Sequence, residues 1–258
     1  MEKRLIARGL LAGLVGAVLA FVFARLCAEP VIARAIAYED GRTEAEQAPG
    51  VHEHGVELFT RGVQANPGLG FGVLLFGLAM GALFAVLFCL VFARVHNPAP
   101  QRLSVLLAAG AFVSVYLVPL VKYPPNPPAV GQADTIGMRT GWYLAAVLVS
   151  VALAIAAVRL ARRLAARLGA WNAGVVAAEA YVVVVAVVYV LLPNVAETPQ
   201  PLRDAAGVII YPGFPADVLY EFRLVSLGTQ LVLWAAIGLV FGRLAGRLLG
   251  ERISSITA

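Results

Sequence analysis

Long uninterrupted runs of apolar residues alternate with polar segments along this chain of 258 residues. Each run has about 17–25 residues, enough for a helix rising about 1.5 Å per residue to cross a hydrocarbon core of about 30 Å. The runs are Leu5–Leu26, Leu69–Ala93, Leu103–Leu120, Trp142–Val158, Ala173–Leu192 and Leu224–Phe241. The pattern predicts an all-α, polytopic integral membrane protein with about six transmembrane helices in one transmembrane domain, residues 1–258.

Composition excludes several function classes. With 60% apolar and 14% charged residues, the chain has too little polar surface for a soluble domain of this length. The net charge of +5 does not indicate nucleic-acid binding, because the basic residues lie at helix ends and not along one face. No nucleophile–base pair, phosphate loop or nucleotide motif is visible, so we expect no enzyme activity and no tightly bound cofactor.

The charged residues predict the orientation in the membrane. The short segment Arg159–Arg167 alone supplies four arginines, and short basic loops face the cytoplasm. Counted this way, both termini are expected in the cytoplasm. We further expect a multi-pass protein of the inner membrane. Lys3, Arg4 and Arg8 lie at the start of the first run, as basic residues do in a signal peptide, but the length of the run favours a retained helix.

Two long segments, 28–68 and 193–223, then lie on the outer side and carry most of the acidic residues. An acidic face concentrates cations near the mouth of a pathway. Acids also simply solvate long loops, and charge bias alone does not separate these two interpretations.

The segment Lys122–Gly131 contains four prolines, one lysine and one asparagine, Asn126, directly after an apolar run. Proline fixes φ and removes a backbone donor, so this density forbids a helix and favours an extended turn. At membrane depth such a backbone survives only where protein buries it or where it lines a wet cavity. Lys122 and Asn126 are therefore candidate pathway-lining residues, with Lys122 expected to pair with Asp134 or Asp217.

The cluster His52–Glu53–His54 with Glu57 is a candidate metal-capture site. Imidazole and carboxylate suit Co²⁺, Ni²⁺ and Zn²⁺, and the lack of a thiolate partner argues against a structural zinc site. A solvated His-x-His that binds nothing is the alternative.

Polar residues inside apolar runs are further candidates. Glu179 lies within the fifth run, where a carboxylate costs several kcal/mol unless it is paired, neutralised or wet. It is either a cation ligand, a proton acceptor or the partner of an arginine such as Arg94 or Arg159. Arg223 and Gln230 bring polar groups into the start of the last run, where they either line a path or hydrogen-bond between helices.

Small residues recur every four positions on three predicted helices. The positions are Gly9 and Gly13, Gly77 and Gly81, and Gly238, Gly242 and Gly246. This spacing lets helix backbones approach closely, so it predicts tight packing within the bundle.

Several segments resemble the CbtA family, the membrane subunit of a bacterial cobalt transporter. They are Gly9–Gly13, Glu29–Pro30, Thr60–Gln64, Leu117–Gly131, Asp134–Gly137 with Arg139, Phe214–Asp217 and Phe222–Gln230. The resemblance covers nearly the whole chain and is strongest in the proline segment. It implies cobalamin-linked cobalt uptake and a small, single-helix, histidine-bearing partner of the CbtB type, in a family often described with five spans.

Together these features predict a membrane transport subunit for a divalent transition-metal cation. Co²⁺ is the expected ion, with Ni²⁺ left open because carboxylates and amides discriminate weakly. The alternative is a non-transporting scaffold or assembly subunit in a metal-uptake complex, surrounded by membrane lipid and binding no nucleic acid.

Overall fold

The computed structural model describes residues 2–47, 61–95 and 99–256. Its helices are α1 (Glu2–Phe23), α2 (Glu29–Glu46), α3 (Arg61–Val63), α4 (Leu69–Phe92), α5 (Pro100–Ala111), α6 (Val118–Lys122), α7 (Ile136–Leu191) and α8 (Ala216–Ile256). Two short antiparallel strands, β1 (Leu202–Arg203) and β2 (Ile209–Tyr211), complete the fold. Five helical segments of the described ranges are long and apolar enough to cross a membrane, so the predicted all-α membrane fold is confirmed.

The chain divides into two compact units. Unit 1 comprises Met1–Ala109, Asn126–Ala129 and Pro199–Ala258, and unit 2 comprises Gly110–Pro125 and Val130–Thr198.

Three π-helical turns accompany prolines in the spanning helices. The turns are Ala24–Ala28 before Pro30, Gln64–Gly68 around Pro67, and Phe112–Leu117 before Pro119. Proline has no N–H, so the carbonyl four residues earlier loses its helical donor, and a wider turn relieves the clash with the ring. For Pro119 that carbonyl belongs to Val115, and the Tyr143 hydroxyl donates to it at 3.4 Å. The helix therefore continues through the proline.

The first π turn joins α1 and α2 into a continuous helix of 45 residues, Glu2–Glu46. At about 1.5 Å per residue such a helix is roughly 68 Å long, far more than a core of about 30 Å requires. The first predicted span ends at Leu26, yet the helix continues through the 18 residues of α2 to Glu46. Part of the predicted outer segment 28–68 is therefore helical.

Glycines bring α1 and α4 of unit 1 into backbone contact. A Cβ on Gly13 would collide with the carbonyl of Gly77, and one on Gly81 would collide with that of Gly9. The predicted close packing at these glycines is confirmed. On α8, Phe241 is fully buried and its ring centroid lies 5.0 Å from that of Phe88 on α4.

Unit 2 contains a helical hairpin within α7. Gly169 has φ 73° and ψ 161°, which breaks the helix. The hydroxyls of Ser150 and Tyr181 hydrogen-bond at 2.7 Å although they are 31 residues apart. A straight helix would separate them by roughly 46 Å, so the chain reverses at Gly169. The two predicted spans Trp142–Val158 and Ala173–Leu192 are the two arms, while the predicted loop Arg159–Arg167 is helical.

Candidate functional site

A polar cluster in unit 1 forms where α2 meets the first turns of α8. The Arg34 guanidinium lies 3.6 Å from the Asp217 carboxylate and forms an ion pair with Glu221. Asp217 and Glu221 are one turn apart, so a single arginine contacts both acids. The predicted acidic face is therefore partly neutralised at this point.

Aromatic side chains fix the segment that precedes α8 against α2. Tyr38 is 6% exposed, its hydroxyl donates to the Pro212 carbonyl at 3.0 Å, and its ring packs edge-on against Phe214 at 4.9 Å. Tyr211 donates back to the Tyr38 carbonyl at 3.2 Å. A Cβ on Gly41 would collide with the Tyr211 hydroxyl, so glycine allows the Tyr211 ring to lie this close to α2. This packing holds the start of α8 in place.

Two of the predicted pathway residues meet in unit 1. Arg223 Nη2 donates to Asn126 Oδ1 at 3.3 Å across 97 residues of sequence. The Nε atom of Arg223 is buried and has no hydrogen-bond partner in the described part of the chain. A buried donor without an acceptor costs free energy comparable to a lost hydrogen bond, so this guanidinium retains the capacity to bind an acceptor. Gln230, two turns further along α8, is half-buried.

Lys122 lies in unit 2 at the end of α6. Its Nζ donates to Asn194 Oδ1 at 2.6 Å, and the neighbouring Tyr123 hydroxyl donates to the Pro193 carbonyl at 2.9 Å. The expected pairing of Lys122 with Asp134 or Asp217 is therefore wrong. Asn194 follows the last turn of α7, and an amide oxygen there satisfies the ammonium without a second charge.

Sequence reasoning did not identify Glu197 as a site residue. Its carboxylate accepts from the Gln132 backbone N–H at 2.9 Å and lies 3.4 Å from Arg139 Nε, with 11% of its side chain exposed. The Thr135 hydroxyl first, and then the Gln132 amide and the Arg139 charge, hold the pKa of Glu197 below its usual range against the opposing effect of desolvation.

Gly131 is the residue from which this turn could have been predicted. Its φ of 123° lies in the region that favours glycine. A Cβ there would also collide with the Arg139 guanidinium. The glycine after the prolines thus permits the arginine to reach Glu197.

Glu179 lies in the second arm of α7 and is exposed. Within residues 2–47, 61–95 and 99–256 it makes no hydrogen bond or ion pair, so the alternative of a bridge to Arg94 or Arg159 is not observed. Arg94 instead donates to the Leu90 carbonyl of its own helix at 2.5 Å. Glu179 has no compensating charge within the part of the chain that the structure describes.

The predicted metal-capture residues His52, Glu53, His54 and Glu57 lie outside the described residues. Among the residues that are described, no group of three or more histidine, cysteine, aspartate or glutamate side chains could hold a metal ion. The capture site remains a prediction.

A protein-family model matches this chain. The family described as probable cobalt transporter subunit (CbtA) matches residues 2–246, nearly the whole chain. No curated protein and no solved structure matches.

Proposed function

We propose that this chain, which belongs to the CbtA family of probable cobalt transporter subunits, carries Co²⁺ into the cell across the inner membrane. The family match over residues 2–246 is the observation that carries the proposal. The helices that are long and apolar enough to span a membrane agree with it. In this proposal the two arms of α7 cross separately, which gives six crossings and leaves both termini in the cytoplasm.

The ion enters at the acidic outer side. His52, His54, Glu53 and Glu57 capture it there, and their imidazole and carboxylate groups suit Co²⁺ and Ni²⁺ alike. Lys122, Asn126, Arg223 and Gln230 then shape the path, and Glu179 supplies a carboxylate deeper in the bilayer. The contact between Arg223 and Asn126 supports this order, because it ties the proline segment to the first turns of α8.

The protonated side chains in this set do not bind a cation. Lys122 and Arg223 instead hold the amides of Asn194 and Asn126, whose oxygens face their donors at 2.6 Å and 3.3 Å. They are positioning residues for the segment between α6 and α7. The carboxylates and imidazoles are the groups that contact the metal.

A further subunit completes the transporter. The family description itself says subunit, and so implies a complex. A small single-helix protein of the CbtB type with a histidine-bearing tail would pass the metal to residues 52–57. Neither subunit acts as an enzyme or retains a cofactor in this proposal; Co²⁺ is cargo.

The test is cobalt uptake by cells that lack their own cobalt transporter and express this chain with its partner. The double variant His52→Ala/His54→Ala should lose at least roughly tenfold in uptake at low cobalt, since even groups that only orient metal ligands are worth that much. His96→Ala, the third histidine of the chain, is the matched control and should transport normally. Normal uptake by the double variant at equal membrane abundance would remove the capture site from the proposal.

A second candidate function, a non-transporting assembly subunit, is favoured by a specific observation. The polar contacts of Arg34 and Lys122 join segments 187 and 72 residues apart, as purely structural ties would. The variant Glu179→Gln separates the two functions, because it removes a charge and leaves these ties intact. Reduced uptake with unchanged abundance supports transport, whereas unchanged uptake favours assembly.

A further inference from the structure

An open groove of about 740 Å³ lies between α5 and α8 of unit 1. Its lining residues are Gln101, Arg102, Val105, Leu106, Gly238, Leu239, Val240, Gly242 and Arg243. It contains no residue proposed above for the cobalt path.

The groove exists because the two helices cross on small residues. Ser104 Oγ donates to the Gly238 carbonyl at 2.7 Å, and a Cβ on Gly242 would come within 3.1 Å of the Ser104 Cβ. No side chain on this line is large enough to fill the space beside the crossing. The close approach of the two backbones at this crossing therefore leaves room for the groove beside it.

The walls of the groove are apolar and uncovered. Val105 is 43% exposed, Leu106 60% and Leu239 61%. In a membrane-spanning unit such exposed aliphatic side chains face hydrocarbon, so a lipid acyl chain is the chemistry that matches these walls.

The lining of the groove is also basic. Arg102 and Arg243 line it together with the Gln101 amide, and no acidic residue is among the lining residues. Both arginines are exposed, and neither has a hydrogen bond or an ion pair to another described residue. Two guanidiniums that line one groove, with no acidic residue in its lining, attract a phosphate, which each can bind through two parallel hydrogen bonds.

We propose that this groove binds one anionic phospholipid, with its phosphate on Arg102 and Arg243 and an acyl chain along Val105, Leu106 and Leu239. Basic pockets between helices at the cytoplasmic membrane surface are suited to anionic lipid head groups. A zwitterionic lipid fits less well, because its own cation lies beside the two guanidiniums. The site requires neither cobalt nor the partner subunit.

Native mass spectrometry of the delipidated chain, titrated with phosphatidylglycerol or with phosphatidylcholine of the same acyl chains, tests the proposal. One phosphatidylglycerol should bind, and Arg102→Gln/Arg243→Gln should weaken it roughly 30-fold, given the usual contribution of a basic residue near an anionic surface. The control Arg162→Gln/Arg163→Gln removes the same charge from exposed positions outside the groove and should bind normally. Equal binding of phosphatidylcholine, or unchanged binding by the groove variant, overturns the proposal.

A second variant keeps both arginines and fills the apolar part. Val105→Trp should lower phosphatidylglycerol binding, because the indole occupies the space of the acyl chain at a position that tolerates bulk. Glycerol 3-phosphate serves as the soluble phosphate probe and should not compete. Competition by glycerol 3-phosphate, or full lipid binding by the Val105 variant, would refute a lipid site. The two arginines would then bind a free phosphate.

Discussion

Each of the two units of this protein is stabilised internally by a different kind of helix contact. In unit 1, α1 and α4 touch through glycines whose missing side chains bring the backbones into contact. In unit 2, the arms of α7 are joined by the hydroxyls of Ser150 and Tyr181, and the ends are tied by Lys122 and Glu197. Inside a bilayer, where lipid tails are as apolar as leucine, helices associate through close packing or through polar bonds. Unit 1 relies mainly on close packing, and unit 2 relies mainly on polar bonds.

The comparison implies that added volume damages unit 1 most. Gly81→Leu places a side chain against the Gly9 carbonyl and the Gly13 backbone, so the helices must separate. We expect a loss of roughly 3 kcal/mol or more of stability, at the upper end for overpacking because backbone cannot yield. Thermal unfolding in detergent, followed by loss of the monodisperse form, measures it.

Gly72→Leu is the matched control on the same helix, because nothing lies within 4 Å of a Cβ at Gly72. It should leave the melting temperature nearly unchanged. Equal damage from both substitutions would mean that glycine acts through helix propensity and not through contact, and unit 1 would lose its distinguishing feature.

Loss of a single polar bond should damage unit 2 by a smaller amount. Ser150→Ala and Tyr181→Phe each remove one partner of the hydrogen bond that joins the two arms of α7. Interhelical bonds of this type contribute roughly 0.6 kcal/mol and at most about 1.7. A double-mutant cycle should return a coupling energy in that range. A coupling of zero would show that the arms are held by apolar contact, as in unit 1.

The sequence predicted the glycine packing of unit 1 better than the polar bonds of unit 2. Gly9, Gly13, Gly77 and Gly81 occur at regular spacing, and regular spacing on helices is visible without tertiary information. The bond between Ser150 and Tyr181 depends on where α7 reverses, and the arginines of Arg159–Arg167 wrongly suggested a loop there. Arginine, alanine and leucine favour a helix, so the chain reverses only at Gly169, the residue within α7 that takes a positive φ.

The candidate site was predicted in part for the same reason. Arg223 and Asn126 were both identified, since charges and amides beside apolar runs are conspicuous. Their mutual contact, and the partner of Lys122, depend on how distant segments fold back. Glu197 looked like one acid among many in a polar segment, because its importance comes from Thr135, Gln132 and Arg139, which are 58 or more residues away.

The polar ties of unit 2 should also respond to pH. Because the pKa of Glu197 is lowered in the folded protein, its stabilising effect is complete above the unfolded pKa, about 4.3, and is lost as pH falls through the folded pKa. The melting temperature of the wild type should therefore fall below about pH 4.3 more steeply than that of Glu197→Gln. Asp134→Asn, an exposed acid in the same turn, should retain the wild-type profile. Identical profiles for all three proteins would show that Glu197 does not contribute to the stability of unit 2.

The smallest effect should come from the ion pairs of unit 1, which lie outside its glycine-packed core. The side chains of Arg34, Asp217 and Glu221 are 44%, 68% and 45% exposed, so solvent screens their attraction. Arg34→Gln should cost less than about 1 kcal/mol, and the loss should shrink as salt rises above roughly 0.15 M. Melting temperatures of wild type and variant at low and high salt measure this, with the exposed Arg162→Gln as control. A larger, salt-independent loss would mean that Arg34 anchors α8 as firmly as the glycines join α1 to α4, and unit 1 would then depend on polar bonds as unit 2 does.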